Sequence, residues 1–225
     1  MSITGNLKRI QDSIPDNVKL VAVSKTHPEE AIIEAYNAGH RIFGESKVQD
    51  VSEKAEHLPN DISWHFIGHL QSNKVKQIVP FVGLIHGVDS YKLLQVIDNE
   101  AKKINRKVNC LLQVHISEEI TKFGFLEDEL YFLLSSDEFK ALTNINICGL
   151  MGIATFTDDK NKIRSEFRNL KRIFEYVKSN YFTDNDDFNE LSMGMSDDYD
   201  IAIEEGSSMI RVGSSIFGVR NYNKN

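Results

Sequence analysis

Eight short apolar runs alternate with amphipathic segments along almost the whole chain, and this alternation constrains the fold more than any other feature. Several runs are apolar at every position, which is typical of parallel strands covered by helices outside and by a packed interior inside. Eight strand–helix repeats favour a closed barrel, because an open flavodoxin-like sheet needs only about five strands. We therefore predict an α/β protein, a single (β/α)8 TIM-barrel domain over residues 1–225. The predicted strands are Lys19–Ser24, Arg41–Gly44, Ser63–Ile67, Leu84–Val88, Val108–Val114, Ile147–Ile153, Glu190–Met193 and Met209–Val212.

Local signals place helices between these strands. After the first strand, Thr26 is a candidate N-cap, Pro28 occupies the first helical position, and Gly39 is predicted to end the helix in a left-handed conformation. Apolar stripes at spacings of three and four residues indicate further helices. These stripes are Ile3, Leu7, Ile10 and Ile14; Leu93, Ile97, Ala101 and Ile104; and Ile163, Phe167, Leu170, Phe174 and Val177.

Composition argues against several classes of function. The net charge of −7 disfavours a broad nucleic-acid surface, which needs clustered Lys and Arg to neutralise phosphates. The two cysteines, Cys110 and Cys148, are too few for a disulfide framework, and both lie in apolar, strand-like runs. The N-terminus lacks a signal pattern, and no apolar run approaches the length of a membrane span, so we expect a cytoplasmic protein.

Chemistry in such a barrel collects at the C-terminal ends of the strands. Lys25 follows the first strand and, by period-two alternation, shares a face with Val21 and Val23. If that face is the barrel interior, the amine lies at an apolar mouth, where desolvation favours its neutral form, the nucleophile toward an aldehyde. Spacing alone leaves a second interpretation open, in which Lys25 is a surface lysine at a strand end.

Two turns rich in hydrogen-bond donors follow the seventh and eighth strands, where barrels often bind phosphate. They span residues 192–198 and 213–215. Glycine lets backbone amides approach an anion closely, and serine adds hydroxyl donors. A short helix beginning near Ser215 would add a favourable dipole. The two turns together predict a phosphate site.

Arg211 is the one charged residue of the last predicted strand. It shares parity with Met209 and Gly213, so its guanidinium is predicted to point inward. A buried guanidinium needs an acceptor, because leaving it unpaired costs several kcal/mol, and a ligand ring nitrogen would supply one.

Other titratable residues give weaker indications. His65 and His69 are four residues apart, but the residues between them predict a strand and a turn, so we do not predict a helical metal-binding pair. Asp197 and Asp198 are interpreted as acids at a helix start rather than as general acid–base residues.

Motifs spread from residue 22 to residue 220 resemble those of one known family. They include Ala22-Val23-Ser24-Lys25-Thr26, Phe43-Gly44-Glu45, Trp64-His65-Phe66-Ile67-Gly68, Val88-Asp89-Ser90, Gly149-Leu150-Met151, Ser192-Met193-Gly194-Met195-Ser196-Asp197-Asp198, Arg211-Val212-Gly213 and Ile216-Phe217-Gly218. The chain resembles the pyridoxal phosphate homeostasis protein family, single-barrel relatives of the alanine racemase N-terminal domain. The block at residues 192–198 is the most specific of these motifs.

This resemblance implies fold type III among pyridoxal 5'-phosphate (PLP) proteins and a covalent Schiff base between PLP and Lys25. It places the cofactor phosphate on Ser196, Gly213 and Ser214, puts Arg211 beside the pyridine nitrogen, and adds Ser46 and Met195 to the cofactor-binding residues. No catalytic residue and no metal ligand is implied.

The chain departs from the family pattern at three positions. Ser46 replaces the usual Asn, which puts a contact to the ring hydroxyl in doubt, whereas Ser214 replaces Thr and keeps the hydroxyl. His115 replaces an asparagine after the fifth strand. Glu119 and Lys122 match the family, and we interpret them as a solvated ion pair.

Two arguments favour a cofactor carrier over an enzyme. Positive charge beside the pyridine nitrogen discourages protonation there, and an unprotonated ring is a weaker electron sink. The resemblance also implies that racemases of this fold need an additional β domain, whereas only 12 residues follow Gly213 here.

We therefore expect a PLP-binding protein of intracellular PLP homeostasis, monomeric, with no nucleic-acid or membrane partner and with PLP-dependent apo-enzymes as recipients. Two alternatives stay open. One is a small amino-acid racemase that uses Lys25 and Tyr199 as bases, and the other is a barrel that binds an unrelated phosphorylated metabolite.

Overall fold

The eight strands form a closed barrel in chain order, in which every neighbouring pair is parallel and β8 pairs with β1. A computed structural model of the chain describes residues 2–118 and 123–218. The predicted (β/α)8 architecture is confirmed. That residues 1–225 form one domain stays a prediction.

The strands are β1 Lys19–Val23, β2 Ile42–Glu45, β3 Ser63–Phe66, β4 Leu84–Val88, β5 Val108–Gln113, β6 Ile145–Met151, β7 Glu190–Ser192 and β8 Met209–Val212. The helices are α1 Ile3–Ser13, α2 Glu29–Asn37, α3 Val48–His57, α4 Val75–Ile78, α5 Tyr91–Lys103, α6 Glu127–Ser135, α7 Asp137–Lys140, α8 Lys160–Tyr181, α9 Tyr199–Glu204 and α10 Ser214–Phe217. A 3-10 turn, Ser72–Lys74, precedes α4. No helix among the described residues is long and apolar enough to cross a membrane.

Alternation along the strands separates two apolar clusters. The smaller cluster fills the barrel interior and includes Val21, Leu111 and Met209. Residues of the opposite parity, such as Ala22 and Ile210, join the larger cluster between the barrel and its helices. Interior side chains therefore follow the parity predicted for Lys25 and Arg211.

The start of α2 differs from the prediction. Pro28 is the N-cap rather than the first helical residue, and it makes no side-chain capping bond. Thr26 does not cap the helix, because it adopts a left-handed conformation with φ of 68° in the turn before it. The predicted end is confirmed, since α2 stops at Asn37 and Gly39 has φ of 94°.

Candidate functional site

Lys25 stands two residues beyond β1, at the C-terminal mouth of the barrel, and is half-buried. The strand below it is buried from Leu20 to Val23, and Val23 lies beside Gly213. A tight turn holds this position, because the His27 amide donates to the Ser24 carbonyl at 3.1 Å and Thr26 is left-handed. The chain therefore turns sharply at the lysine instead of continuing as an extended strand.

A buried ion pair supports this turn from the outer side of the barrel. Lys54 of α3 donates to Glu45 Oε1 at 2.7 Å and to the Ser24 carbonyl at 3.1 Å. The Ser24 hydroxyl donates to the same Glu45 oxygen at 2.7 Å. Burial raises the pKa of Glu45, while Lys54 and Ser24 act in the opposite direction. Ser24, the residue directly before Lys25, is thus held in place by a cluster that sequence reasoning missed.

The turns after β7 and β8 meet. The Gly213 amide donates to the Ser196 hydroxyl oxygen at 3.2 Å. Gly194, which lies within the first turn, has φ of 96°, and a Cβ there would lie 2.6 Å from the Ala202 side chain, so only glycine fits. The two predicted donor-rich turns, residues 192–198 and 213–215, are therefore joined into one rim at the C-terminal mouth.

Asp198 closes the first of these turns. Asp198 is the N-cap of α9, and its Oδ1 accepts from the Met195 amide at 2.5 Å. Burial raises the pKa of Asp198, and Arg211 acts in the opposite direction. Asp198 therefore lies at a helix start as predicted, but its side chain bonds back to the turn instead of capping the helix.

Helix α10 begins at Ser214, close to the predicted position, and is a single turn. Asn6 of α1 donates to the Ile216 carbonyl at 3.0 Å, and the His27 ring stacks on Phe217 with centroids 5.1 Å apart. These contacts hold α10 against the loop that follows Lys25. Because one turn carries little macrodipole, the hydroxyl and amide groups supply most of the rim's donor capacity.

Arg211 points into the barrel as predicted and is almost fully buried. Its acceptors are within the protein, which the sequence prediction did not anticipate: Nη1 donates to Ser192 Oγ at 2.5 Å and Nη2 to the Gly152 carbonyl at 3.0 Å. Burial lowers the pKa of Arg211 to about 10, which still leaves the guanidinium charged at neutral pH.

The remaining predicted residues lie on the same mouth. Ser46 directly follows β2, and the backbone of Gly68 packs against it so closely that a Cβ on Gly68 would lie 2.4 Å from the Ser46 carbonyl oxygen. Met195 is exposed on the turn after β7. Neither residue has a hydrogen bond to Lys25 or Arg211 among those described. Glu119 and Lys122 lie outside the described residues.

Histidines do not form a metal centre in the part of the chain that the structure describes, where no group of three His, Cys, Asp or Glu residues could hold an ion. His65 lies in β3, whereas His69 lies in the loop beyond it and pairs with Asp89 at 2.9 Å. His65 instead bonds to His86, and His86 bonds to Ser192. Sequence reasoning missed this interior chain, although strand parity could have indicated it.

Comparison with known proteins identifies the family. The family model for the alanine racemase N-terminal domain matches residues 1–221. The pyridoxal phosphate homeostasis protein of Vibrio alginolyticus is 38% identical over 213 residues, covering 92% of this chain and 89% of that protein. The protein of the same name from Schizosaccharomyces pombe is 37% identical over 207 residues, and the match covers 91% of this chain and 85% of that protein. This chain belongs to the pyridoxal phosphate homeostasis protein family.

Solved structures agree with this membership. PipY of Synechococcus elongatus, solved with PLP bound, superposes on this family member with a TM-score of 0.88 at 35% identity, covering 96% of this chain and all of PipY. Alanine racemase from Bartonella henselae superposes with a TM-score of 0.73 at 14% identity, where the chain spans 60% of the enzyme. The second similarity concerns the barrel fold alone.

Proposed function

We propose that this chain binds PLP covalently through Lys25 and acts in PLP homeostasis as a carrier, without catalysis of its own. The observation that carries the proposal is the Gly213–Ser196 hydrogen bond, which joins two donor-rich turns beside the strand that leads to Lys25. When bound, PLP supplies an aldehyde, which a neutral lysine amine converts to a Schiff base with loss of water.

The residues at this mouth fit that cofactor. A Cβ on Gly213 would lie 3.2 Å from the Val23 carbonyl, so the small residue keeps the rim close to β1. The hydroxyls of Ser196 and Ser214 offer donors suited to a phosphate, and the amide of Gly213, which donates to Ser196 in this structure, would add a third donor if it turned from that oxygen to the phosphate. Ser46 and Met195 would line the remainder of the site, as the family resemblance implies. Arg211 would face the pyridine nitrogen.

Two features support a carrier rather than a racemase. Arg211 is a buried cation, so a pyridine nitrogen beside it would stay unprotonated and the ring would be a weak electron sink. Tyr199, the candidate second base, is partly buried against the outer apolar cluster rather than in the barrel interior.

PLP-dependent apo-enzymes would receive the cofactor. The cytoplasmic location and the monomeric state stay predictions.

Borohydride reduction followed by peptide mass spectrometry tests this assignment. The purified chain with PLP should carry one adduct, on Lys25, and Lys25→Ala should lose it. Lys47→Ala, which removes an exposed lysine at the start of α3, is the control and should keep it. An adduct on another lysine, or none, would refute the site.

Racemase activity is tested separately. Incubation of the PLP-loaded protein with L-alanine, followed by chiral chromatography, should yield no D-alanine above a protein-free PLP control. Formation of D-alanine that disappears in Lys25→Ala would favour the racemase alternative instead.

A further inference from the structure

Four polar side chains from β3, β4, β7 and β8 form a continuous hydrogen-bonded chain through the barrel interior. Arg211 Nη1 lies 2.5 Å from Ser192 Oγ, His86 Nδ1 lies 3.0 Å from the same oxygen, and His86 Nε2 lies 3.0 Å from Nδ1 of His65. All four residues are at least nine-tenths buried. Such a chain is stable only if every hydrogen has an acceptor.

We propose that the hydrogen bonds in this buried chain of side chains all run in one direction, with Arg211 donating to Ser192, Ser192 to His86 and His86 to His65. We further propose that Ser192 and His86 are positioning residues for Arg211. The inference rests on the proposed function only where it concerns the cofactor. The direction of the chain follows from the hydrogens alone.

Arg211 can only donate in this chain, because a guanidinium has donors and no acceptor. Ser192 Oγ therefore accepts from Nη1, and its own hydroxyl hydrogen needs another acceptor. His86 Nδ1, at 3.0 Å, is the acceptor that the described contacts offer. An acceptor nitrogen at Nδ1 places the hydrogen of a neutral His86 ring on Nε2.

The hydrogen on His86 Nε2 determines the tautomer of His65. His86 Nε2–H donates to His65 Nδ1, so the hydrogen of His65 is on Nε2. Burial keeps both rings neutral: it lowers the pKa of His65 to about 3 and the pKa of His86 well below its ordinary value. Neutral rings have a single N–H each, and this requirement leaves one tautomer for each histidine.

The chain ends at the opposite mouth of the barrel. His65 lines a cavity of about 540 Å³ there, together with Lys19, Asn109 and Glu190. The proposed direction requires an acceptor at that cavity for the remaining N–H of His65. The chain thus extends from the residue proposed to face the cofactor to the far end of the barrel.

The consequence for Arg211 is an oriented acceptor. With its hydrogen held by His86, Ser192 turns a lone pair toward Nη1, and the Gly152 carbonyl holds Nη2. Without His86, the serine hydrogen has lost its acceptor and can rotate toward the guanidinium, which weakens that contact. Arg211 would then lose its fixed position relative to the pyridine ring.

Nitrogen-15 NMR of the histidine rings tests the direction without reference to the cofactor. In the uniformly labelled full-length protein at neutral pH, His86 and His65 should both give the spectrum of a neutral ring protonated at Nε2. His40 is an internal reference, because its Nε2 lies 2.8 Å from the Ile42 carbonyl and must donate. A His86 ring protonated at Nδ1, or at both nitrogens, would overturn the direction.

Variants test the positioning role. Ser192→Ala and His86→Leu should shift the absorption maximum of bound PLP and speed its dissociation at least about threefold. His86→Asn should restore much of the original absorption maximum and dissociation rate, since its amide oxygen can accept from Ser192. His40→Leu should change neither the absorption maximum nor the dissociation rate. Normal absorption and retention in His86→Leu would refute the positioning role. If the parent protein binds no PLP, the proposed function fails, while the NMR result still decides the direction.

Discussion

The Gly213 amide donates to the Ser196 hydroxyl oxygen at 3.2 Å and so ties the turn after β8 to the turn after β7. Ser196→Ala removes this bond and one donor of the proposed phosphate rim. We expect PLP retention to weaken by about 1–3 kcal/mol, as for a lost charge-assisted hydrogen bond. Equilibrium dialysis against PLP measures it.

Ser214→Ala should weaken retention by a similar amount, because its hydroxyl stands on the same rim. Ser13→Ala is the control, since that hydroxyl bonds to the Ile10 carbonyl at the end of α1. An unchanged affinity for PLP in both Ser196→Ala and Ser214→Ala would contradict the proposal that these hydroxyls bind the phosphate.

Thr26 stores backbone strain directly after Lys25. A β-branched residue at φ of 68° costs about 1–2 kcal/mol, whereas glycine avoids this cost but loses roughly 0.5–1 kcal/mol of chain entropy on folding. Thr26→Gly should therefore raise the free energy of unfolding by up to about 1.5 kcal/mol in urea titrations.

Asn105→Gly is the matched comparison, because Asn105 has φ of 51° and asparagine tolerates this conformation. It should have little effect on stability. Equal gains at both positions would argue against strain at Thr26.

The Glu45–Lys54 pair is predicted to be costly to break. Lys54→Met leaves a fully buried carboxylate without its cation and should lower the free energy of unfolding by about 3–5 kcal/mol. The double variant Glu45→Leu/Lys54→Met should recover much of this loss. Urea denaturation at pH 7 provides the measurement.

The exposed Lys103–Glu100 pair serves as the control. Removing it with Lys103→Ala should change stability by at most about 0.5 kcal/mol. A similar loss for both pairs would contradict the role of burial.

Buried neutral histidines predict lower stability in mild acid. Burial lowers the pKa of His40, His65 and His86, and for His65 to about 3, whereas the unfolded rings titrate near 6.5. Below about pH 6.5 the unfolded chain binds protons that the folded chain does not, so the free energy of unfolding decreases as the pH is lowered. Each ring contributes a slope of up to about 1.4 kcal/mol per pH unit.

Urea denaturation at several pH values between about 7.5 and 5 measures this slope, because that interval includes the pKa of an unfolded histidine. His40→Gln should reduce it. His57→Gln should not, because Glu29 raises the pKa of this exposed ring, a shift of the opposite sign. A free energy of unfolding that does not change with pH across the interval would contradict neutral burial.

Periodicity predicted part of the site. Alternation in β8 predicted that Arg211 points into the barrel, and the structure confirms it, because interior residues such as Met209 share its parity. Alternation in β1 put Lys25 on the interior face as one of two open interpretations. The start of α2 was predicted wrongly, since a Thr–His–Pro sequence is compatible both with a cap and with a left-handed turn.

The sequence by itself determined the number of strands and the alternation of side chains between the two faces of each strand, because both follow from local hydrophobic spacing. Only the tertiary structure decided which inward residues touch. Ser192 and His86 are 106 positions apart, and no spacing rule relates them. Barrel closure and strand register bring them within hydrogen-bond distance, and burial then requires that their polar atoms satisfy one another.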